Sequence, residues 1–180
     1  MRFFHIEHSR TAYIADFCLY GLVVLGMALL LVFYTPVPQR RSASLFAFVG
    51  LMSWSLLEYA LHRVVLHAWP LFKAMHAAHH ERPTALICTP TIISATLIGG
   101  LIFVPSLLTL NLWHAIALTF GVLAGYLAYA ITHHGIHHWR TDNRWLKHRK
   151  YRHALHHRPN SPHACYGVTN SFWDRVFHTD

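Results

Sequence analysis

Four long apolar segments dominate the chain. They cover about residues 12–34, 43–61, 86–110 and 112–131. Each segment approaches the roughly 20 apolar residues that a helix needs to cross a bilayer. Unpaired strand edges are not stable in lipid, so all four segments are predicted to be helices. Almost nothing separates the third segment from the fourth, which predicts a tight helical hairpin.

Composition narrows the class of protein. Hydrophobic residues make up 54% of the 180 residues and charged residues 12%, whereas a typical soluble domain has about 25% charged residues. Such a chain is too apolar to be disordered and too poor in charge to cover a soluble surface. We therefore predict an all-α integral membrane protein, a single domain over residues 1–180 with four transmembrane helices. The first apolar segment has no small-residue cleavage site behind it and is expected to remain as an anchor.

The basic residues indicate the orientation. Four spans place both termini and the connection between spans two and three on one side of the bilayer. Of 15 Lys and Arg residues, only Arg40 and Arg41 lie on the other side, which leaves 13 on the side of the termini. The positive-inside rule makes that side cytoplasmic, in a bacterial inner membrane or in the endoplasmic reticulum of a eukaryote. These charges are expected to contact lipid headgroups and no nucleic acid, because the chain is tethered to a bilayer.

Histidine is unusually frequent. There are 18 histidines, and all but His114 fall on the predicted cytoplasmic side. Most of them form four clusters: His62 and His67; His76, His79 and His80; His133, His134, His137 and His138; and His153, His156 and His157. Spacings of three and four place side chains on one helical face. The spacing of five in the first cluster does not, so the helix is expected to end or bend there, or the two imidazoles are expected to serve different metals. The clusters predict a cytoplasmic His-rich helical cap.

So many converging imidazoles predict a metal centre. Protonated imidazoles would repel one another, whereas a cation uses the lone pair of each neutral ring. One ion takes roughly four to six ligands, so two ions are expected. Imidazole suits Zn, Cu, Fe and Ni, and the ligand type leaves zinc hydrolysis and iron oxygen chemistry both open. The three cysteines form no CxxC pair, which argues against a Cys-based metal or redox site.

The clusters also have the form of known motifs. The sequence resembles the fatty acid hydroxylase superfamily, which includes sterol desaturases and fatty acid 2-hydroxylases, over about residues 50–180. The resemblance is carried by LHRVVLH, HAAHH, HALHH, the run from Tyr129 to His138, and the block YGVTNSFWDRVFHT from Tyr166 to Thr179. This last block and the His133/His137 spacing are closer to the 2-hydroxylase branch than to the carotenoid hydroxylases. One departure is His178, which stands where the family often has glycine.

The resemblance implies a di-metal centre, taken as di-iron, that uses O₂ to hydroxylate a C–H bond of a lipid acyl chain at the 2-position. Zinc is possible as a bound species. No segment of this sequence resembles the cytochrome b5 domain that is fused to members of the family, so a separate donor, cytochrome b5-like or a ferredoxin, is expected to supply electrons. The resemblance implies ten metal ligands: His62, His67, His76, His79, His80, His133, His137, His153, His156 and His157.

Four further residues are expected to support the ligands. His138 is a candidate to hydrogen-bond a ligand, and His134 stands where an aromatic residue is common in the family. Glu58 lies one helical turn before the first cluster and is expected to hydrogen-bond a ligating histidine or to pair with Arg63. Asp174 is expected to cap a helix or to pair locally.

Three other functions fit part of the pattern. A lipid or sterol desaturase, or a carotenoid hydroxylase, would use the same metals, and the mass of the product would separate it from the acyl hydroxylase. A membrane metal transporter would need ligands near the bilayer midplane, whereas these cluster at one face. A di-haem electron carrier would need axial histidine pairs that face each other across spans.

Overall fold

The computed structural model describes residues 7–159 and 161–180. Arg2 and His5, which the sequence analysis places on the cytoplasmic side, lie outside the described residues. Throughout the described residues the secondary structure is helical, without strands. The α-helices in this part of the chain are α1 (Arg10–Tyr34), α2 (Arg40–Ala60), α3 (Pro70–Glu81), α4 (Thr91–Ile98), α5 (Val104–Thr109), α6 (Leu112–His138), α7 (Arg144–His156) and α8 (Phe172–Val176).

Four helices are long and apolar enough to cross a membrane, which confirms the predicted fold class. Their bounds are Arg10–Tyr34, Val37–Leu66, Thr91–Thr109 and Leu112–His138. The third begins at Thr91, later than the sequence pattern predicts. The reason is Pro90, which disfavours helical conformation in the residue before it and initiates the helix after it.

Two of these helices contain a π-helical turn. Leu61–Leu66 continues α2 in π form, and Gly99–Phe103 joins α4 to α5. The second turn ends two residues before Pro105, which sits in the first turn of α5. A proline inside a regular α-helix clashes with the carbonyl four residues earlier, and a π turn relieves this clash by widening the backbone.

The described chain divides into two compact units. One contains Arg10–Trp54 and Thr89–Leu127. Within it α2 and α6 pack backbone against backbone, because a Cβ added at Gly121 would lie 2.1 Å from the carbonyl oxygen of Ala47 and one added at Gly50 would lie 2.2 Å from that of Leu118. Glycines at a helix crossing permit this close approach. In the same unit the Tyr20 hydroxyl hydrogen-bonds Ser94 Oγ at 2.7 Å.

The other unit contains all twelve clustered histidines. Its described residues are 7–9, Ser55–Cys88 and those of Ala128–Asp180. Its helix α7 starts at the N-cap Asn143, whose side chain accepts a hydrogen bond from Leu146 N at 3.1 Å. The buried face of α7 follows spacings of three and four, with Leu146, Arg149, His153 and His156. This periodicity turns two imidazoles of α7 inward. The assignment of residues 1–180 to one domain stays a prediction.

Candidate metal centre

Two groups of imidazoles converge in the His-rich unit. The first group contains His62, His67, His76 and His156, and the second contains His79, His133, His137 and His153; within each group, one ring nitrogen of every member lies within 4.8 Å of the others. The helices α3 and α7 each contribute to both groups. Side chains three residues apart point about 60° apart around a helix. His76 and His79, and likewise His153 and His156, can therefore serve different groups.

The π-helical turn explains how His62 and His67 come together. A π turn brings residues five apart onto one side, because its hydrogen bonds run from i to i+5. Residues Leu61–Leu66 have this form, and the two imidazole rings lie 5.5 Å apart, centroid to centroid. The helix thus distorts where the sequence predicts an end or a bend, and both residues join the first group.

His80 and His157 complete two sets of five imidazoles. His80 Nε2 lies 3.0 Å from the Nε2 atoms of both His76 and His156. His157 Nε2 lies 2.9 Å from His153 Nε2. The rings of His80 and His157 stack on each other at 4.1 Å with an interplanar angle of 9°. The structure therefore brings all ten histidines of the expected ligand set into two adjoining sets.

A C-terminal loop orients two of these imidazoles. In the segment from Ala164 to Thr169, which we call the collar loop, the carbonyl of Tyr166 accepts a hydrogen bond from His62 Nδ1 and the carbonyl of Ala164 accepts one from His156 Nδ1, both at 2.6 Å. A carbonyl oxygen can only accept, so each Nδ1 carries the proton. The Nε2 lone pair of each neutral ring is then directed into the first group.

Glu58 holds the collar loop. Its carboxylate is buried (3% exposed). It accepts hydrogen bonds from the backbone N–H of Val168 and of Thr169, both at 2.8 Å, and from the Thr169 hydroxyl at 2.6 Å. Arg63, the predicted ion-pair partner, donates instead to the Tyr59 hydroxyl at 2.8 Å. The carboxylate therefore acts on the ligands indirectly, through a loop more than 100 residues away in sequence.

Asp174 holds the same loop from the other end. It is fully buried and accepts hydrogen bonds from Tyr166 N at 2.8 Å, Gly167 N at 3.0 Å and the Thr179 hydroxyl at 2.9 Å. Arg152 pairs with it at 3.5 Å. The local pairing expected for Asp174 is present, and it fixes the backbone whose carbonyl orients His62.

The remaining two supporting candidates lie on another face of α6. His138 is exposed, and its ring stacks on His134 at 4.5 Å. Among the described residues no hydrogen bond joins His138 to either group, so the geometry does not support its expected contact with a ligand.

His178, at the position where the family often has glycine, has φ 53°. This left-handed conformation is the one that glycine adopts most easily.

Four buried imidazoles outside the membrane helices are uncharged at neutral pH. Burial lowers the pKa of His79, His156 and His157 to about 3 and that of His80 to about 4, and the neighbouring imidazoles lower them further. Both ring nitrogens of His79 are buried and have no hydrogen-bond partner among the described residues. These ring nitrogens are neutral, buried and close together, and they carry too few protons to hydrogen-bond one another. Their free lone pairs are the electron donors that a transition-metal ion requires.

Comparison with known proteins identifies the family. The fatty acid hydroxylase family model matches residues 47–179. The chain belongs to the fatty acid hydroxylase family. This confirms the resemblance inferred from the histidine motifs.

Several relatives are similar to this hydroxylase-family chain. A ceramide very long chain fatty acid hydroxylase of Schizosaccharomyces pombe is 34% identical, over 75% of this chain and 42% of the relative. A dihydroceramide fatty acyl 2-hydroxylase of Arabidopsis thaliana is 36% identical, over 72% and 58%. A human fatty acid 2-hydroxylase is 30% identical, over 79% and 41%. The chain thus spans about half the length of these curated relatives.

A solved structure has the same fold. Full-length scs7p, of which only the hydroxylase domain is visible, superposes with a TM-score of 0.76 and 26% identity over 93% of this chain and 66% of that chain. The names of the relatives agree with the 2-hydroxylase branch expected from the sequence.

The collar loop is the part of the site that sequence reasoning missed. It acts through the carbonyls of Ala164 and Tyr166 and through backbone N–H groups, and backbone groups leave no side-chain pattern in a sequence. The signal that could have indicated it was the family block that begins at Tyr166 and contains the acidic residue Asp174.

Proposed function

We propose that this chain is a membrane-bound di-metal mono-oxygenase that hydroxylates a lipid acyl chain at the 2-position, with iron as the active metal. The observation that carries the proposal is the pair of all-imidazole groups, which offer converging ring nitrogens within 4.8 Å. Two such groups match two ions, and the family and its relatives supply the reaction class. Zinc can occupy the same imidazoles without supporting oxygen chemistry.

The ten histidines would hold the two ions. Bound iron would activate O₂, and the reaction would put one oxygen atom into the C–H bond while the other left as water, with two electrons and two protons consumed. The electrons come from a separate donor, a cytochrome b5-like protein or a ferredoxin. The chain contributes ligand orientation: the collar loop fixes the proton on His62 Nδ1 and His156 Nδ1, so their Nε2 atoms are ready to bind metal.

The membrane helices would bring the metal centre close to the acyl chains of the bilayer. Four helices are long and apolar enough to span the bilayer, and we place the His-rich unit on the cytoplasmic side because 13 of 15 basic residues lie there in the four-span topology. The most apolar stretch of α1 is only 6% buried, whereas that of α6 is 50% buried. An acyl chain in the surrounding lipid can therefore be presented from the bilayer.

Lipid mass spectrometry tests the proposal. Cells that express the wild type are compared with cells that express His156→Ala, and His148→Ala serves as control because it removes an exposed imidazole of the same helix. A gain of one oxygen is expected with the wild type and the control only, and fragmentation should place it at carbon 2. Loss of two hydrogens would replace the hydroxylase with a desaturase, and the absence of any acyl product would refute the acyl substrate.

A further inference from the structure

The outer side of α7 is strongly basic. Four exposed residues follow one another at spacings of three and four: Arg144, Lys147, Tyr151 and Ala154. Side chains with these spacings lie on one side of a helix, and we call this side of α7 the basic face. Between positions 138 and 158 the sequence has seven basic residues and one acidic residue, Asp142. Asp142 pairs with Lys147 at 2.8 Å, so this part of the chain keeps a large excess of positive charge.

The basic face ends at a cavity beside the candidate metal ligands. Ala154 lines this cavity of about 550 Å³, together with Lys150 and Arg158. Three imidazoles of the ten form part of the wall: His137, His153 and His157. The cavity is therefore a place where imidazoles of the metal centre meet a positively charged surface.

No carboxylate of the described residues neutralises the two cations of the cavity. The ion pairs in this part of the chain use Arg82, Lys147 and Arg152, and no acidic side chain lines the cavity. Lys150 Nζ donates to the carbonyl of Trp139 at 2.5 Å. This contact holds the ammonium in place, and the ammonium keeps further hydrogens to donate. The mouth of the cavity is thus complementary to a negatively charged partner.

The wall of the cavity connects both sets of imidazoles. His137 and His153 belong to the second group. The ring of His157 stacks on that of His80 at 4.1 Å, and His80 Nε2 lies 3.0 Å from the Nε2 atom of His156 in the first group. An electron delivered at this wall therefore arrives next to candidate ligands of both groups.

We propose that the basic face and the mouth of the cavity bind an acidic protein that carries single electrons. This inference rests on the proposed function, in which each hydroxylation consumes two electrons from a separate donor. Each bound carrier is oxidised by one electron, so two successive carriers supply one cycle, and the two protons come from water. Carboxylates around the redox centre of the carrier pair with Arg144, Lys150 and Arg158 and hold that centre against the imidazole wall.

The composition of the face favours a protein partner. Tyr151 is 63% exposed in the middle of the basic residues, and tyrosine and arginine are the residue types that are enriched in protein–protein interfaces and their energetic centres. Opposite charge on the partner also speeds its encounter with such a surface. An anionic bilayer surface could attract the same cations, but it carries no electrons to the metal centre.

Binding of purified electron carriers to the full chain tests the proposal without turnover. The chain is purified in an uncharged detergent, loaded with Zn²⁺ and immobilised, and biolayer interferometry measures three probes: an acidic cytochrome b5 domain, an acidic [2Fe–2S] ferredoxin and a basic cytochrome c. We expect an acidic carrier to bind about tenfold or more tightly than cytochrome c, with an association rate that falls as salt is raised. The acidic carrier that binds more tightly identifies the class of donor. Cytochrome c that binds as tightly as either acidic carrier would overturn the proposal, and so would the absence of binding by both acidic carriers.

Matched variants locate the surface. Lys150→Ala/Arg158→Ala and, separately, Arg144→Glu should each lower the association rate of the acidic carrier by about fivefold or more, because charges at the rim of an interface act mainly on association. The Zn²⁺ content shows whether each variant keeps its metal centre. Arg40→Ala/Arg41→Ala removes the same charge from exposed positions in the other unit and should bind as the wild type does. Equal losses in this control, or no loss in Arg144→Glu, would overturn the location.

Lipid nanodiscs separate a protein partner from a membrane surface. The same binding is measured in discs of phosphatidylcholine and in discs that also contain anionic phosphatidylglycerol, at physiological salt, where charges are screened beyond roughly 8 Å. The acidic carrier should bind in both, and Lys150→Ala/Arg158→Ala should weaken it in both. Binding that disappears in the anionic discs would assign these cations to the bilayer surface and overturn the proposal.

The two proposals fail separately. Specific binding of an acidic carrier by a protein that oxidises no lipid in cells would refute the proposed function alone. Lipid oxidation at the wild-type rate in Lys150→Ala/Arg158→Ala and in Arg144→Glu, together with unchanged carrier binding, would refute the basic face as the donor site alone.

Discussion

Removal of the Glu58 carboxylate should release one metal ion and leave the other bound. Glu58 touches the collar loop, and the collar loop orients His62 and His156 of the first group. No hydrogen bond in the described residues links the loop to the imidazoles of the second group. Glu58→Ala should therefore damage the first group selectively.

The size of the effect follows from the lost contacts. Glu58→Ala leaves three donors of Val168 and Thr169 without their acceptor, and each buried unpaired donor costs about 1–3 kcal/mol. Loss of a supporting contact to a ligating histidine typically lowers metal affinity about 10–100-fold, which corresponds to about 1.4–2.8 kcal/mol. The free energy lost by the loop is thus at least as large as the free energy that ligand orientation adds to metal binding. We therefore expect the metal affinity of the first group to fall by the whole of this factor, about 10–100-fold.

Titration with Co²⁺ measures this directly. The metal-free protein is titrated in detergent, the visible absorbance of bound Co²⁺ is recorded, and the metal content is measured by mass spectrometry. The wild type should bind two ions per chain and Glu58→Ala one at the same free Co²⁺. Glu58→Gln should lie between them, because its amide oxygen can still accept from backbone N–H groups but without charge.

A matched control separates this effect from the effect of removing any one carboxylate from the protein. Asp142→Asn removes the acidic partner of Lys147 from an exposed ion pair in the same unit, and such pairs contribute little to stability. It should bind two ions. A folded Glu58→Ala protein, with the helical circular dichroism of the wild type, that binds two Co²⁺ ions with unchanged affinity would refute the reasoning.

Three other perturbations have defined outcomes. His153→Ala and His156→Ala should each lower the metal content by one ion but alter different Co²⁺ absorption bands, because they belong to different groups; identical spectra would contradict two separate sites. Gly121→Ala should lower the thermal midpoint sharply, because its Cβ would lie 2.1 Å from a backbone oxygen, whereas Gly26→Ala has open space and should not. The metal-free protein should lose stability from about pH 6.5 down to about pH 3, since burial lowers the pKa of three imidazoles to about 3 and the unfolded chain binds more protons in that interval. Each such imidazole contributes at most about 1.4 kcal/mol per pH unit, so a flat profile would contradict their burial as neutral rings.

The membrane helices and the meeting of the histidines could be predicted because both depend on side-chain patterns. Long apolar runs define the four helices, and spacings of three and four place His153 and His156 on the inner face of α7. The grouping was harder. The π turn at Leu61–Leu66 changes the helical period, so a rule based on regular helices cannot join His62 to His67.

The supporting contacts could not be predicted, because they pair a side chain with distant backbone. The Glu58 contact spans 110 residues and ends on N–H groups that every residue except proline possesses. Proximity in the sequence suggested a histidine or Arg63 as the partner of Glu58. The actual partner is the loop that follows α7, and the sequence pattern does not indicate that this loop packs against α2.

The division between a neutral ligand set and acidic supports has a consequence for folding. Ionised carboxylates buried among the ligands would have to be neutralised before the chain could fold, whereas neutral imidazoles can be buried at much lower cost. Here the buried carboxylates of Glu58 and Asp174 are already satisfied by N–H and hydroxyl donors of the loop. The centre can therefore be built before metal binds. As the pH falls, the imidazoles of the unfolded chain are protonated before the buried imidazoles of the folded chain. Acid therefore opposes formation of the histidine centre.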